Sequence, residues 1–191
     1  TLGAYFTPRS YADSMARHTI APAAAVADDP NEIPKILDLT AGSGELLCAA
    51  LRQIFAIKKW RRPDVALQIL SQHLYAVDLE PLALQLAAVN VLRTTIRMVP
   101  ELLTSGRRFP DLSENFRNED SLRASTLDSL PTVDAVLLNP PFHGSSRWTM
   151  PEHALAELSM FSRPNSSFAF FVAGLTKLRD GGSLSIVLPS Q

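Results

Sequence analysis

Apolar residues fall along this chain in two rhythms, and the alternation between them predicts its architecture. Short apolar runs closed by turn residues predict buried strands over residues 35–39, 73–78, 133–139 and 183–189, with a weak further strand over 115–120. Between them, apolar residues recur at helical spacing. That rhythm predicts helices over residues 8–18, 45–57 and 166–178, and a long helix opening at Pro81 and running through Leu82, Leu86, Val89 and Leu92. Thr7 reads as the N-cap of the first helix, with Pro8 at its first position. Residues 1–7 read as an extended lead-in, 21–34 as an apolar stretch ending in a loop, and 100–115 as a loop-rich insertion. Strands alternating with helices predict an α/β fold, with a parallel sheet covered by helices on both faces.

Composition narrows the class. The chain has 191 residues, 46% of them apolar, which suits one globular α/β domain. Its formal net charge is −1, so composition alone does not mark it as a nucleic-acid binder, and DNA contact would need a local basic face or another domain. The basic run Lys58-Lys59-Trp60-Arg61-Arg62 reads as solvated surface after a helix C-terminus. A single cysteine, Cys48, excludes a disulfide framework and points to a reducing, cytoplasmic setting. It lies in an apolar run and reads as a small core residue. No stretch is long and apolar enough to span a membrane. The chain opens at Thr1 rather than Met, which is read as a piece of something longer.

Four polar signals sit where predicted strands end, and in open α/β sheets ligands bind beyond the carboxyl ends of the strands. The first is Asp38-Leu39-Thr40-Ala41-Gly42-Ser43-Gly44. Two glycines at a strand-to-helix turn let a ligand approach the backbone closely. Leu47 stands where a dinucleotide fingerprint wants its third glycine, and no Gly-Lys-Ser/Thr follows, so neither a dinucleotide nor a triphosphate is favoured. The second is Asp78, an acceptor for the ribose hydroxyls of an adenosine-type cofactor or else a helix cap before Pro81. Asp120 is the third, an acceptor for an adenine amine or else a plain turn residue.

The fourth, Asn139-Pro140-Pro141-Phe142, carries the most chemistry. The exocyclic amine of a base is a poor nucleophile because its lone pair is delocalised into the ring. Two acceptors on its two N–H bonds hold the amine and turn the lone pair toward an electrophile. Asn139 offers a carboxamide oxygen and Pro140 a backbone carbonyl. The two prolines lack N–H groups and have fixed φ, which makes the loop stiff and free of competing donors. Phe142 offers a flat face for an extruded base.

These motifs, together with Gly3-Ala4-Tyr5-Phe6-Thr7-Pro8, Asn118-Glu119-Asp120-Ser121-Leu122 and residues 181–190, resemble those of N6-adenine DNA methyltransferases. The similarity is to the type with cofactor motifs first and target-recognition domain last, as in type I and combined type II restriction-modification enzymes. The resemblance implies a class I S-adenosylmethionine-dependent methyltransferase fold over residues 1–191, with residues 1–30 as its N-terminal cofactor-motif helix region. It implies that Tyr5, Phe6, Thr7, Asp38, Thr40, Gly42, Gly44, Asp78, Leu79, Asp120 and Ser121 line the S-adenosylmethionine pocket, that residues 139–142 bind a flipped adenine, and that no metal is needed. The implied partners are DNA and specificity or endonuclease subunits or domains. Leu39 replaces the family's usual proline, and Ala41 its frequent cysteine. The family's sheet has seven strands and a target-recognition domain follows it. Here the expectation is a fragment ending after the fifth strand, whose apolar edge at residues 184–188 invites self-association.

The loop also resembles those of ribosomal RNA guanine-N2 methyltransferases and of enzymes that methylate glutamine, since all three substrates present a planar nitrogen. Tyr5-Phe6-Thr7-Pro8 tilts the choice toward DNA adenine. His143 reads as a loop residue rather than a base. A separate alternative is an isolated cofactor-binding piece, inactive without its missing domains.

Overall fold

The sheet is built from β1 (Ile36–Asp38), β2 (Leu74–Asp78), β3 (Phe116–Asn118), β4 (Val133–Leu138) and β5 (Leu178–Ile186). In this computed structural model, which describes residues 7–25, 32–58, 61–141 and 166–188, all five pair in parallel in the order β3-β2-β1-β4-β5. The order reverses between β1 and β4, and that switch point is where such sheets open a crevice for ligands.

Every residue of β1 and β4 is buried, and alternate residues serve opposite faces. Ile36, Leu74, Ala76, Ala135 and Leu137 point to a core shared with α1 (Arg9–Ala25), α2 (Glu45–Lys58), α3 (Pro63–Gln72) and α4 (Pro81–Met98). Leu37, Leu39, Val77, Val136 and Leu138 point to the other, shared with α5 (Ala124–Ser129) and α6 (Ser166–Lys177). In α2, Leu47, Leu51 and Ile54 are completely covered. Their burial contributes about 1.5–3 kcal/mol each. Cys48 is buried in the same core, as a small packing residue, and burial pushes its thiol pKa up.

Four local features depart from expectation. Helix α1 runs on to Ala25 through Pro22 rather than stopping near His18. Thr19, Ile20 and Ala23 are buried beneath it, and that burial, with the strong helix preference of the flanking alanines, outweighs the lost Pro22 N–H. Helices α3 and α5 carry no strong sequence signal, being ten and six residues long. The cue for α3 was Pro63 with Asp64 in the first turn. Strand β5 begins at Leu178 rather than Ser183. Leu178 pairs with Val133 and Ser183 with Ala135, so the residues between loop out around exposed Asp180 and Gly181. The expected end of this strand at Pro189 lies outside the described residues, as do Lys59 and Trp60 of the basic run. Arg61 and Arg62 are exposed, and Arg62 pairs with Asp64 at 2.6 Å.

Candidate active site

Register brings the two most informative loops together. Leu37 pairs with Val136 across β1 and β4. Thr40 and Asn139 each follow by three residues, so they leave the sheet side by side. The Asn139 backbone N–H donates to Thr40 Oγ1 at 3.1 Å. Thr40 in turn donates from its hydroxyl (3.2 Å) and its backbone N–H (2.9 Å) to Asp38 Oδ1. Asn139 Nδ2 donates to Thr7 Oγ1 at 2.8 Å, which fixes the orientation of the carboxamide. Residues that stand far apart in the sequence thus form one connected chain, Thr7–Asn139–Thr40–Asp38.

Asp38 is fully buried, and its Oδ2 has no hydrogen-bond partner among the described residues. Burial, the largest cause, pushes its pKa up to about 7; the two Thr40 hydrogen bonds oppose the rise, and the nearby Asp78 charge adds to it. A buried acceptor of this kind suits a ligand that brings its own donor.

The glycine loop follows directly. Gly44 N–H closes a turn on Ala41 carbonyl at 2.7 Å, and Ala41 N–H is held by Val77 carbonyl. Asp78 Oδ2 accepts the Gly42 N–H at 2.7 Å, and its Oδ1 accepts the Glu80 N–H at 2.9 Å. Asp78 therefore braces the glycine loop as well as turning the chain into α4, whose N-cap residue is Glu80. A carboxylate has about four lone-pair sites, so neither bond uses up its capacity to accept hydroxyls. Leu79, beside it, is half exposed.

Asp120 accepts the Leu122 N–H at 3.0 Å and lies 3.8 Å from Arg123, as a turn residue does. Ser121 is buried and donates to the Leu39 carbonyl, tying the β3 end to the β1 end. Pro140 is buried, and the Pro141 carbonyl accepts from Ser166 at the start of α6. Tyr5, Phe6, Phe142 and His143 lie outside the described residues.

Two braces were not anticipated. Asn90 of α4 donates to the Ser43 carbonyl at 3.0 Å, holding the glycine loop from behind. Asn118 donates to the carbonyls of Asp78 and Leu79, both at 2.9 Å. Asn90 gives no sequence signal of this role, since it stands on a mixed helix face with Leu86, Ala87, Arg93 and Thr94.

The sequence matches the N-6 DNA methylase family over residues 1–191. No curated protein sequence matches this chain. Among solved structures, the fold superposes on the ATP-dependent type ISP restriction-modification enzyme LlaBIII bound to DNA, with a TM-score of 0.70 and 16% identity over 93% of this chain and 14% of that one. The type I restriction enzyme EcoKI M protein gives 0.64 and 20% identity, covering 97% of this chain and 34% of that one. The methyltransferase subunit of a type I restriction-modification system from Streptococcus thermophilus gives 0.59 and 26% identity, covering 99% and 35%. This chain thus spans about a third or less of these proteins. The fold is that of class I S-adenosylmethionine-dependent methyltransferases, and the chain belongs to the N-6 DNA methylase family.

Proposed function

We propose that this chain is the catalytic domain of an adenine-specific DNA methyltransferase that takes its methyl group from S-adenosylmethionine and serves a restriction-modification system. The observation that carries this reading is the Asn139 carboxamide, oriented by Thr7 and anchored through its backbone by Thr40 at the sheet's switch point. Family membership supports the same chemistry.

The residues fit the cofactor. The unpaired Asp38 Oδ2 is a buried acceptor, and S-adenosylmethionine brings an ammonium donor. Around Gly42 an added Cβ meets nothing closer than the Thr40 carbonyl at 3.9 Å, so the loop leaves its backbone open to close approach. Thr7, Asp38, Thr40, Gly42, Gly44, Asp78, Leu79, Asp120 and Ser121 would hold the cofactor, joined by Tyr5 and Phe6. When bound, the cofactor supplies an electrophilic methyl group on a sulfonium.

The chain's own work is positioning and charge placement. Asn139 Oδ1 and the Pro140 carbonyl accept the two N–H bonds of adenine N6, which directs the nitrogen lone pair outward. Phe142 stacks on the flipped base. Positive charge would grow on N6 as the methyl's bond to sulfur breaks, leaving a neutral thioether, and the N–C bond forms; the two acceptors would stabilise that charge until a proton leaves to water.

LlaBIII is bound to DNA in its structure, and the EcoKI and Streptococcus thermophilus proteins are parts of restriction systems. DNA is accordingly the proposed substrate here, in the cytoplasm, with specificity and endonuclease functions supplied by other domains or subunits. No described helix is long and apolar enough to cross a membrane. Strand β5 pairs with β4 alone among the described residues, and its open edge is a proposed site of self-association for this chain by itself; light scattering showing a monodisperse monomer would refute that part.

The test is a labelled-methyl assay of the full-length protein on DNA, ribosomal RNA and peptide. Label is expected on adenine of DNA. Label on guanine of RNA or on glutamine instead overturns the assignment.

A further inference from the structure

One face of α4 carries exposed apolar residues. Leu82, Leu86 and Val89 are 77%, 47% and 59% exposed. Their 4-3 spacing continues by four residues to Arg93 and by four more to Arg97, both exposed. Residues at this spacing form one stripe, and a 4-3-4 sequence is the seam of a two-helix coiled coil. The opposite face of α4, with Leu84, Ala87, Val91 and Thr95, is already buried against the domain. Among the described residues the stripe is left largely uncovered.

The basic end of the stripe opens into a groove of about 200 Å³ that Arg9, Arg52, Arg93 and Arg97 line. Arg52 is occupied by Asp13 and Glu45, at 2.6 and 2.8 Å. Arg9 lies 3.7 Å from the same Asp13. Arg93 and Arg97 form no ion pair with any described residue. The result is a solvent-facing apolar ridge that runs into a pair of uncompensated guanidinium groups.

We propose that this face docks an amphipathic helix of another domain or subunit, with an apolar stripe that meets Leu82, Leu86 and Val89 and carboxylates that meet Arg93 and Arg97. The seam from Leu82 to Arg97 covers fifteen residue steps, about 22 Å, which a partner helix of about four turns matches. One feature favours a protein helix over a DNA backbone. Phosphates gain nothing from the three exposed aliphatic side chains of Leu82, Leu86 and Val89. A helix with a mixed apolar and acidic face satisfies both halves of the stripe. This reading does not depend on the catalytic one.

Because Cys48 is buried and is the chain's only cysteine, Val89→Cys places a single accessible thiol on the seam. The probe is a synthetic helical peptide of about 18 residues with leucines at 4-3 spacing followed by glutamates on the same face. It is compared with a version bearing lysines in place of the glutamates, and with a short DNA duplex. The acidic peptide is expected to protect the Val89→Cys thiol from maleimide. A second variant at two exposed positions, Arg93→Glu with Arg97→Glu, is expected to weaken the acidic peptide about tenfold or more and to favour the lysine peptide instead. Failure of the acidic peptide to protect, equal binding of the two peptides, or protection by the duplex in place of the peptide overturns the proposal.

Discussion

The Thr40 hydroxyl accepts the Asn139 backbone N–H at 3.1 Å and donates to Asp38 Oδ1 at 3.2 Å. One side chain of the glycine loop thus sets where the Asn139-Pro140-Pro141 loop leaves β4. Valine at this position keeps the shape and loses both bonds. Leaving the Asn139 N–H without its acceptor costs about 1–3 kcal/mol, and a small misplacement of Asn139 costs roughly 10- to 100-fold in rate. Thr40→Val in the full-length enzyme is therefore expected to lower kcat by that factor while the KM for DNA changes little. Thr40→Ser keeps the hydroxyl and restores most of the rate. Steady-state methylation kinetics of both variants decide it, and an unchanged kcat in the valine variant would remove Thr40 from this role.

The role proposed for Asn139 separates binding from chemistry. It lies beyond the glycine loop and is tied to it through a backbone bond that alanine preserves. Asn139→Ala is expected to abolish methylation and leave the calorimetric affinity for S-adenosylmethionine within about threefold. That ratio corresponds to less than 1 kcal/mol. Thr7→Val removes the partner that orients the carboxamide, so a partial loss of rate is expected. Turnover of DNA by Asn139→Ala would refute the catalytic assignment.

Most of the architecture was legible because its signals are dense. Strand β4 is six consecutive buried residues ending at Leu138, just before Asn139, and so long a run with a single charged residue reads as a buried strand. The switch-point meeting of Thr40 and Asn139 was not legible. It depends on β1 pairing with β4 across 99 residues of chain, and no local rule encodes which strands become neighbours. Helix α5 escaped notice because six residues complete fewer than two turns of the apolar rhythm. The course of α1 past Pro22 was hidden for the opposite reason. A local breaker was plain to see, while the burial of Ile20 and Ala23 that overrides it belongs to the tertiary structure.

Asp38 makes stability depend on pH in an unusual direction. Its folded pKa, about 7, lies above its ordinary 3.8. The folded state therefore binds the proton more tightly than the unfolded state. This contribution is fully present below about pH 4 and is lost as pH rises through 7, with an upper bound of about 4 kcal/mol. Urea unfolding at a series of pH values measures it, and Asp38→Asn is the control. The stability difference between variant and parent is expected to grow in the variant's favour from pH 5 to pH 8. A difference independent of pH would show that Asp38 ionises normally.

The two glycines of the loop are expected to fail differently when given a methyl group. Both have positive φ, 50° at Gly42 and 78° at Gly44, and a left-handed backbone costs an L-residue about 1–2 kcal/mol. At Gly44 the new Cβ would also stand 2.9 Å from both Cα and Cβ of Ala87. That contact is with the backbone of α4, whose Asn90 braces the same loop, so it relaxes only if the packing of α2 on α4 loosens. Overpacking of this kind adds about 1–3 kcal/mol. At Gly42 nothing lies closer than 3.9 Å, so only the backbone cost applies there. Gly44→Ala is expected to lose about 2–5 kcal/mol in chemical denaturation. Gly42→Ala is expected to fold with about half that loss and to bind S-adenosylmethionine at least about tenfold more weakly in calorimetry, since the methyl enters the space where the ligand approaches the backbone. Undiminished affinity in a folded Gly42→Ala protein would show that the open side of this glycine does not face the cofactor.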